Sequence, residues 1–351
     1  MAVADELRKS GAEVSFLGTR ERIEAELVPA AGYEIDFVRV RGIDRRNPLR
    51  AARAGFEALG AVGGARAALR RRGAEVVVGG GGYVAGPAGL AAALTRTPLV
   101  LTEADSHLGL ANRLLAGRAR RVCLAFPIAG REGAPYLVTG RPVPAAIAAG
   151  DREVARRRFG IEPGALCLLV VGGSQGARTV NLAAIEAFAE RPGRGFHVLH
   201  LSGQRDYEGL RERLDAALYG DRYTLLAYEP DLGDALAASD LVLGRSGGSI
   251  FEVAAAGRPA VLVPYPHATA DHQSANAEWM RAGGAATVLA DAELDAERAA
   301  AAVEAIIADP ARLAKMSVAS RRLARPDAAR AIADQVLEAA RERGASERDR
   351  R

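Results

Sequence analysis

The feature that most constrains this chain is a recurring unit: a short apolar run, a glycine-rich turn, then a helix. Its clearest copy begins at Leu168-Leu169-Val170-Val171, passes through Gly172-Gly173-Ser174-Gln175-Gly176, and continues into helical spacing over 177–190. A short continuous apolar run reads as a strand buried on both faces, as in a parallel sheet covered by helices. The glycines allow a tight turn, and the helix start directs unpaired N–H groups and a positive dipole end at the loop, which suits a phosphate. The same turn could be a plain strand-to-helix connection, so its companions must decide.

The rhythm runs through the whole chain. Strands are predicted near 13–17, 35–38, 75–78, 98–101, 121–125 and 136–138, with helices near 2–10, 21–31, 49–72, 87–94 and 110–116. The rhythm breaks around Gly140-Arg141-Pro142-Val143-Pro144, and a polar helix over 152–159 opens a second series. Strands are predicted there near 166–171, 197–201, 223–226, 241–243, 260–263 and 286–289, then helices near 295–308, 310–323 and 327–343. Such alternation specifies an α/β fold with mostly parallel sheets. We place a first domain at 1–142, a second at 143–325, a helix over 326–343 packing back on the first domain, and a disordered charged tail over 344–351.

A length of 351 residues exceeds one ordinary core, which agrees with two domains. No run of about 18 apolar residues offers a membrane span, and no secretory signal precedes the first pattern. Cys123 and Cys167 lack metal spacing and fall in predicted strands, as reduced core residues do. Arginines crowd 39–53 and 70–72, yet aromatic residues make up only 5% and are not interleaved with them. That speaks against nucleic acid and for an anionic membrane surface or a phosphorylated substrate.

Ligands of open α/β sheets bind beyond the carboxyl ends of the strands. In the first domain those loops are Gly79-Gly80-Gly81-Gly82-Tyr83, with Pro87 expected in the first turn of the next helix, and Thr102-Glu103-Ala104-Asp105-Ser106-His107. In the second, Arg245-Ser246-Gly247-Gly248-Ser249 forms another glycine turn. Ser249 is expected to cap the helix carrying Glu252, a carboxylate placed to accept from a ribose diol or simply to favour the helix dipole. The stretch from Pro264 to Ala277 sets His272, Gln273 and Asn276 at a helix start, side chains suited to sugar hydroxyls. Gly172 to Gly176 lacks the G-x-G-x-x-G spacing of a dinucleotide fold, which disfavours an NAD-dependent dehydrogenase.

In combination, Gly172 to Arg178, Arg245-Ser246-Gly247, Glu252 with Ala254-Ala255-Ala256-Gly257, Asp271-His272-Gln273 with Asn276-Ala277, Gly81 to Pro87, and Phe16 to Thr19 with Glu24 to Pro29 resemble MurG-type transferases of glycosyltransferase family 28. The resemblance reaches to about residue 340. It implies a GT-B fold of two Rossmann-like domains facing a cleft. It also implies inverting transfer of N-acetylglucosamine from UDP-N-acetylglucosamine to lipid I, a polyprenyl-pyrophosphate acceptor, giving lipid II. By this resemblance Ser174, Gln175 and Gly176 meet the diphosphate, and Tyr228 and Glu229 border the uracil. Arg245, Ser246, Gly247, Gly248 and Ser249 line the donor, Glu252 holds the ribose, and His272, Gln273 and Asn276 face the sugar or the neighbouring phosphate. The acceptor falls to Gly81, Gly82, Tyr83, Glu103, Asn112 and Arg141. No metal or cofactor is implied, and Arg245 with the helix starts would carry the charge of the leaving UDP. The implied location is the cytoplasmic membrane face, held peripherally through the 45–72 segment with Leu49, Phe56, Leu59 and Val62.

The chain departs from the family pattern at its opening. The family begins with a strand and a glycine loop bearing a histidine, leading into the helix that here begins at Met1. We expect the true start to lie upstream, and expect the missing strand to leave a slot in the first sheet. Thr102-Glu103-Ala104-Asp105 stands where the family has His-Glu-Gln-Asn, and Arg141-Pro142-Val143-Pro144 stands for Asn-Pro-Val-Arg. Within this chain Glu103, Asp105 and His107 are the candidate bases. The alternatives are a GT-B transferase using a UDP- or TDP-sugar on a small acceptor, or an inactive nucleotide-sugar-binding copy.

Overall fold

The computed structural model describes residues 1–40, 48–172, 177–191, 195–218, 220, 222–268 and 271–348, without the side chains of 48–59, 148 and 345–348. The chain divides into two compact units, Met1–Pro142 with Asp327–Arg351, and Val143–Pro326.

The first unit runs α1 (Ala2–Lys9), β1 (Ser15–Gly18), α2 (Glu24–Ala30), β2 (Glu34–Phe37), α3 (Pro48–Arg71), β3 (Val77–Gly79), α4 (Gly82–Thr95), β4 (Leu99–Glu103), α5 (Leu110–Leu115), β5 (Arg121–Leu124) and β6 (Tyr136–Val138). Its strands are parallel but interrupted: β1 pairs with β2, and a separate sheet runs β3-β4-β5-β6. Leu17 of β1 still packs on the core formed by Val77, Leu99, Leu101, Val122 and Leu124. The strands of the first unit thus form two sheets, joined near Leu17 by side-chain packing.

The second unit runs α6 (Ala146–Ala149), α7 (Arg152–Arg158), β7 (Leu166–Val171), α8 (Arg178–Phe188), β8 (Phe196–Leu201), α9 (Tyr207–Asp215), β9 (Tyr223–Leu226), α10 (Leu232–Ala238), β10 (Leu241–Gly244), α11 (Ile250–Ala255), β11 (Ala260–Leu262), α12 (His272–Ala282), β12 (Ala286–Val288), α13 (Ala296–Ile307) and α14 (Pro310–Leu323). Its sheet is parallel throughout, in the order β12-β11-β10-β7-β8-β9. The order reverses between β7 and β10, the switch point at which doubly wound sheets open a crevice.

The chain then closes with α15 (Ala328–Arg348), which belongs to the first unit. Ile332, Ala333 and Val336 pack with Leu7, Val100 and Cys123, while Arg121 Nε donates to Gln335 Oε1 at 2.9 Å. The expected tail over 344–351 needs correction, because the helix persists through Arg348; residues 349–351 lie outside the described residues. Helical periodicity continues there without a proline, so charge alone does not stop it. A second correction concerns α4, which starts at Gly82 and so places Pro87 inside the helix. Gly81 and Gly82 have φ of 81° and 76°, a region closed to most side chains, so the glycines form the helix entry itself.

Beside Gly172, at the end of β7, lies a buried polar chain. Asn181 Nδ2 donates to Ser202 O and Asp206 Oδ2, both at 2.9 Å, which leaves Asn181 Oδ1 facing His200 Nε2 at 3.0 Å. Nε2 must therefore carry the proton, and His200 Nδ1 accepts from the Tyr223 hydroxyl at 2.7 Å. A Cβ at Gly172 would stand 2.7 Å from Ser202 O and 2.8 Å from Asn181 Oδ1, so this chain of bonds leaves room for glycine only. His197, one β8 face away, is spent on Thr224 Oγ1 at 2.9 Å, in keeping with a structural role.

Burial lowers the His200 pKa from 6.5 to about 3. The unfolded chain then binds a proton below pH 6.5 that the folded chain refuses, so this contribution is full above pH 6.5 and is lost as pH falls toward 3. The expected slope is about 1.4 kcal/mol per pH unit. His200→Gln, which does not titrate, should flatten the urea midpoint between pH 6 and 4 by about one proton; an unchanged slope would remove His200 as the cause.

Candidate functional site

In the second unit the candidate site is built on the ends of β7 and β10. Their pairing sets Val171 opposite Gly244, so both glycine turns leave the sheet side by side. A Cβ at Gly244 would lie 2.9 Å from Val171 O, which explains glycine at this strand end. Ser174, Gln175 and Gly176 lie outside the described residues. Ala177, the N-cap residue of the α8 helix that follows them, makes no side-chain cap bond.

The turn after β10 is braced by α12. Ser246 Oγ donates to Gln273 O at 2.7 Å, and Asn276 Nδ2 donates to Ser246 O at 2.9 Å. Gln273 Oε1 accepts from Tyr265 N at 3.0 Å, while its Nε2 stands 3.9 Å from the Cβ position of Gly247. Sequence reading set Asn276 toward a sugar; it is buried, its nitrogen is used within the protein, and only Oδ1 is left without a hydrogen-bond partner among the described residues. His272, Gln273, Gly247, Gly248 and Ser249 are half-buried around this brace. Ser249 occupies the N-cap position of α11 but makes no side-chain cap bond, because its backbone is already helical. Glu252 sits half-buried in the first turn of that helix.

Glu229, expected beside the uracil, is held by partners within the chain. Its carboxylate accepts from Arg158 Nη2 at 2.8 Å and 3.0 Å and from Asp231 N at 2.9 Å, and the residue is buried. Tyr228 beside it is 58% exposed and is the member of the pair that presents a ring to solvent. Arg245 is engaged as well: Nη1 donates to Asp291 Oδ1 and Nη2 to Thr179 Oγ1. Asp291 and Thr179 escaped sequence reading, since neither belongs to a glycine turn and nothing local links them to Arg245.

In the first unit the loop after β4 is organised around Glu103. Its Oε2 accepts from Gly109 N at 2.8 Å and Asn112 Nδ2 at 2.9 Å, and Oε1 accepts from Asp105 N at 3.2 Å. A buried carboxylate bound three times by its own chain acts first as the pin of this loop. Asn112 is buried too; its Nδ2 also donates to Thr102 O and lies 3.8 Å from the Cβ position of Gly81. Asp105 and His107 are half-buried on the pinned loop, and His107 Nδ1 has no hydrogen-bond partner among the described residues. Tyr83 is 54% exposed at the start of α4, and Arg141 is half-buried after β6.

One correction bears on the proposed membrane segment, at Val62. Residues 41–47 and the side chains of Leu49, Phe56 and Leu59 lie outside the described residues, and Val62 is buried against Ala65 and Ala91. Among the described residues of the first unit, the exposed apolar side chains include Leu90 and Leu94 on α4 and Leu110 and Leu114 on α5, as well as Ile23, Leu27, Leu137 and Val138.

Comparison with known proteins places these features in a family. The glycosyltransferase family 28 N-terminal domain matches residues 1–124, and the family 28 C-terminal domain matches 167–332. The UDP-N-acetylglucosamine–N-acetylmuramyl-(pentapeptide) pyrophosphoryl-undecaprenol N-acetylglucosamine transferase of Moorella thermoacetica is 40% identical over 96% of this chain and 94% of its own length. The protein of the same name from Alkalilimnicola ehrlichii is 42% identical, covering 97% and 95%. Among solved structures, MurG of Acinetobacter baumannii superposes with a TM-score of 0.77 at 29% identity, covering 96% of this chain and 94% of that one. Two Rossmann-like units, glycine turns at the switch point and matches along nearly the whole chain agree: the fold is GT-B, and the chain belongs to the MurG group of glycosyltransferase family 28.

Proposed function

We propose that this chain transfers N-acetylglucosamine from UDP-N-acetylglucosamine to the muramoyl sugar of lipid I, producing lipid II for peptidoglycan. The observation that carries the reading is 40% identity to a transferase of that name over 96% of the chain. Paired glycine turns at the β7–β10 switch point support it.

The donor belongs to the second unit in this reading. Ser174, Gln175 and Gly176 cradle the diphosphate with the start of α8, and Arg245 adds a positive charge. Tyr228 stacks on the uracil, Glu252 accepts from the ribose diol, and His272 and Gln273 address the sugar from the start of α12. The acceptor belongs to the first unit, its pyrophosphate at the uncapped glycine entry of α4 through Gly81, Gly82 and Tyr83. Arg141 gives a further positive charge. Glu103 and Asn112 hold the β4 loop in shape, and Asp105 and His107 are the groups we assign to proton removal. The muramoyl hydroxyl attacks the anomeric carbon as its proton passes to the base. The bond from that carbon to the β-phosphate oxygen breaks, and UDP departs with the electron pair, inverting the centre. Helix starts and Arg245 receive the charge that develops.

Expected first is transfer of labelled N-acetylglucosamine from its UDP donor to a soluble lipid I analogue. UDP binding without transfer to any lipid acceptor would defeat the assignment in favour of an inactive binding copy. Glu252→Ala is expected to weaken UDP affinity about tenfold, and unaltered affinity in calorimetry would refute the ribose role.

No helix among the described residues is long and apolar enough to cross a membrane. We assign peripheral attachment to the cytoplasmic membrane face through Leu90, Leu94, Leu110 and Leu114, with the exposed Arg96, Arg113 and Arg118 nearby in sequence meeting anionic headgroups. Replacing Leu94 and Leu114 together by Glu should abolish cosedimentation with vesicles of phosphatidylglycerol. Retained cosedimentation would move the contact elsewhere.

A further inference from the structure

The loops that follow β7, β10 and β12 are joined by a closed triangle of side chains. Asp291 lies in the 3₁₀ turn after β12, Thr179 in the first turn of α8, and Arg245 directly after β10. Arg245 Nη1 donates to Asp291 Oδ1 at 2.5 Å, and Thr179 Oγ1 donates to that same oxygen at 2.7 Å. Arg245 Nη2 closes the triangle on Thr179 Oγ1 at 2.7 Å. Nη1 also lies 3.2 Å from Val263 O and 3.3 Å from Pro264 O, and Cζ is 5.4 Å from the centre of the Tyr265 ring.

The side chains of Arg245 and Asp291 are 14% and 16% exposed, so solvent screens this pair less than a surface pair. Its place matters more than its strength. Thr179 anchors it to the helix start that follows the glycine turn, the end of the sheet to which the donor diphosphate is assigned. A guanidinium paired this way presents a fixed position but a reduced net charge. The carboxylate beside it repels any diphosphate that approaches.

We propose that Asp291 is a positioning residue of the donor site that also sets its affinity for the nucleoside diphosphate. It orients Arg245 at the start of α8, and its negative charge weakens the hold on UDP so that the product leaves. The proposal rests on the donor assignment above. A simple fastener would need the two hydrogen bonds and no charge. Both bonds end on Oδ1, so Asp291→Asn keeps an acceptor oxygen for each and removes only the charge.

The test is calorimetric binding of UDP and of uridine to the full chain and its variants at one ionic strength, with donor kinetics alongside. Asp291→Asn should bind UDP about five- to tenfold more tightly, leave uridine affinity unchanged, and lower both kcat and the donor KM as product release slows. Asp291→Ala, which also frees Arg245 from its orientation, should bind UDP less tightly than Asp291→Asn. Thr179→Val leaves the Asp291 charge in place and should not tighten UDP binding. Unchanged or weakened UDP affinity in Asp291→Asn, or equal tightening in Thr179→Val, overturns the proposal. A wild-type chain that binds no UDP would instead sink the donor assignment, before any variant is compared.

Discussion

Parallel pairing of β7 with β10 is the constraint on which the candidate donor site depends. It aligns Val171 with Gly244, so two chain segments distant in sequence begin their turns at one level of the sheet. The separation between them is too small for a side chain at Gly244. On the other flank of β7, the bonds linking Tyr223, His200, Asn181 and Ser202 occupy the space a Cβ at Gly172 would need. The end of β7 at Gly172 is thus fixed from both sides by the sheet and by this chain of bonds.

A second theme is the use of carboxylates inside the chain. Glu103 gathers the β4 loop, Glu229 takes Arg158 and Asp231 N, and Asp291 takes Arg245 and Thr179. Asp240 does the same for α7, accepting from Arg152 at 2.7 Å and from Cys167 N at 2.9 Å. Buried charge demands such partners. A polar residue at a strand end therefore has two uses, bracing a loop or meeting a ligand, and only its surroundings separate them.

The two units differ in completeness. The second has an unbroken parallel sheet with apolar cores on it, whereas in the first β1 with β2 stands apart from the β3-β4-β5-β6 sheet. Side-chain packing carries what hydrogen bonds do not: Leu17 reaches the core of the larger sheet, and Val14 joins Val76 beside the cluster that includes Ile332 and Val336. The closing helix α15 thereby contributes to the unit whose strands lie far earlier in the chain.

Much of this was legible in the amino-acid order. Strand runs, glycine turns and helices show themselves locally, because apolar periodicity and glycine act within a few residues. Of the residues expected in the donor turns, Arg245 to Ser249 follow directly on β10, and Ser174, Gln175 and Gly176 lie outside the described residues. What local pattern could not reveal was which partner each side chain takes. Glu229 with Arg158, Arg245 with Asp291, and Asn276 with Ser246 are pairings across strands and helices. The start of α4 at Gly82 and the helical continuation past Gly344 were likewise misread, since glycine and charge are weak stops against packing and periodicity. Sequence alone determined the α/β class, the family and the positions of the turns. Tertiary structure decided which polar groups are consumed in holding those turns, because a hydrogen bond or ion pair depends on distances that only the folded sheet creates.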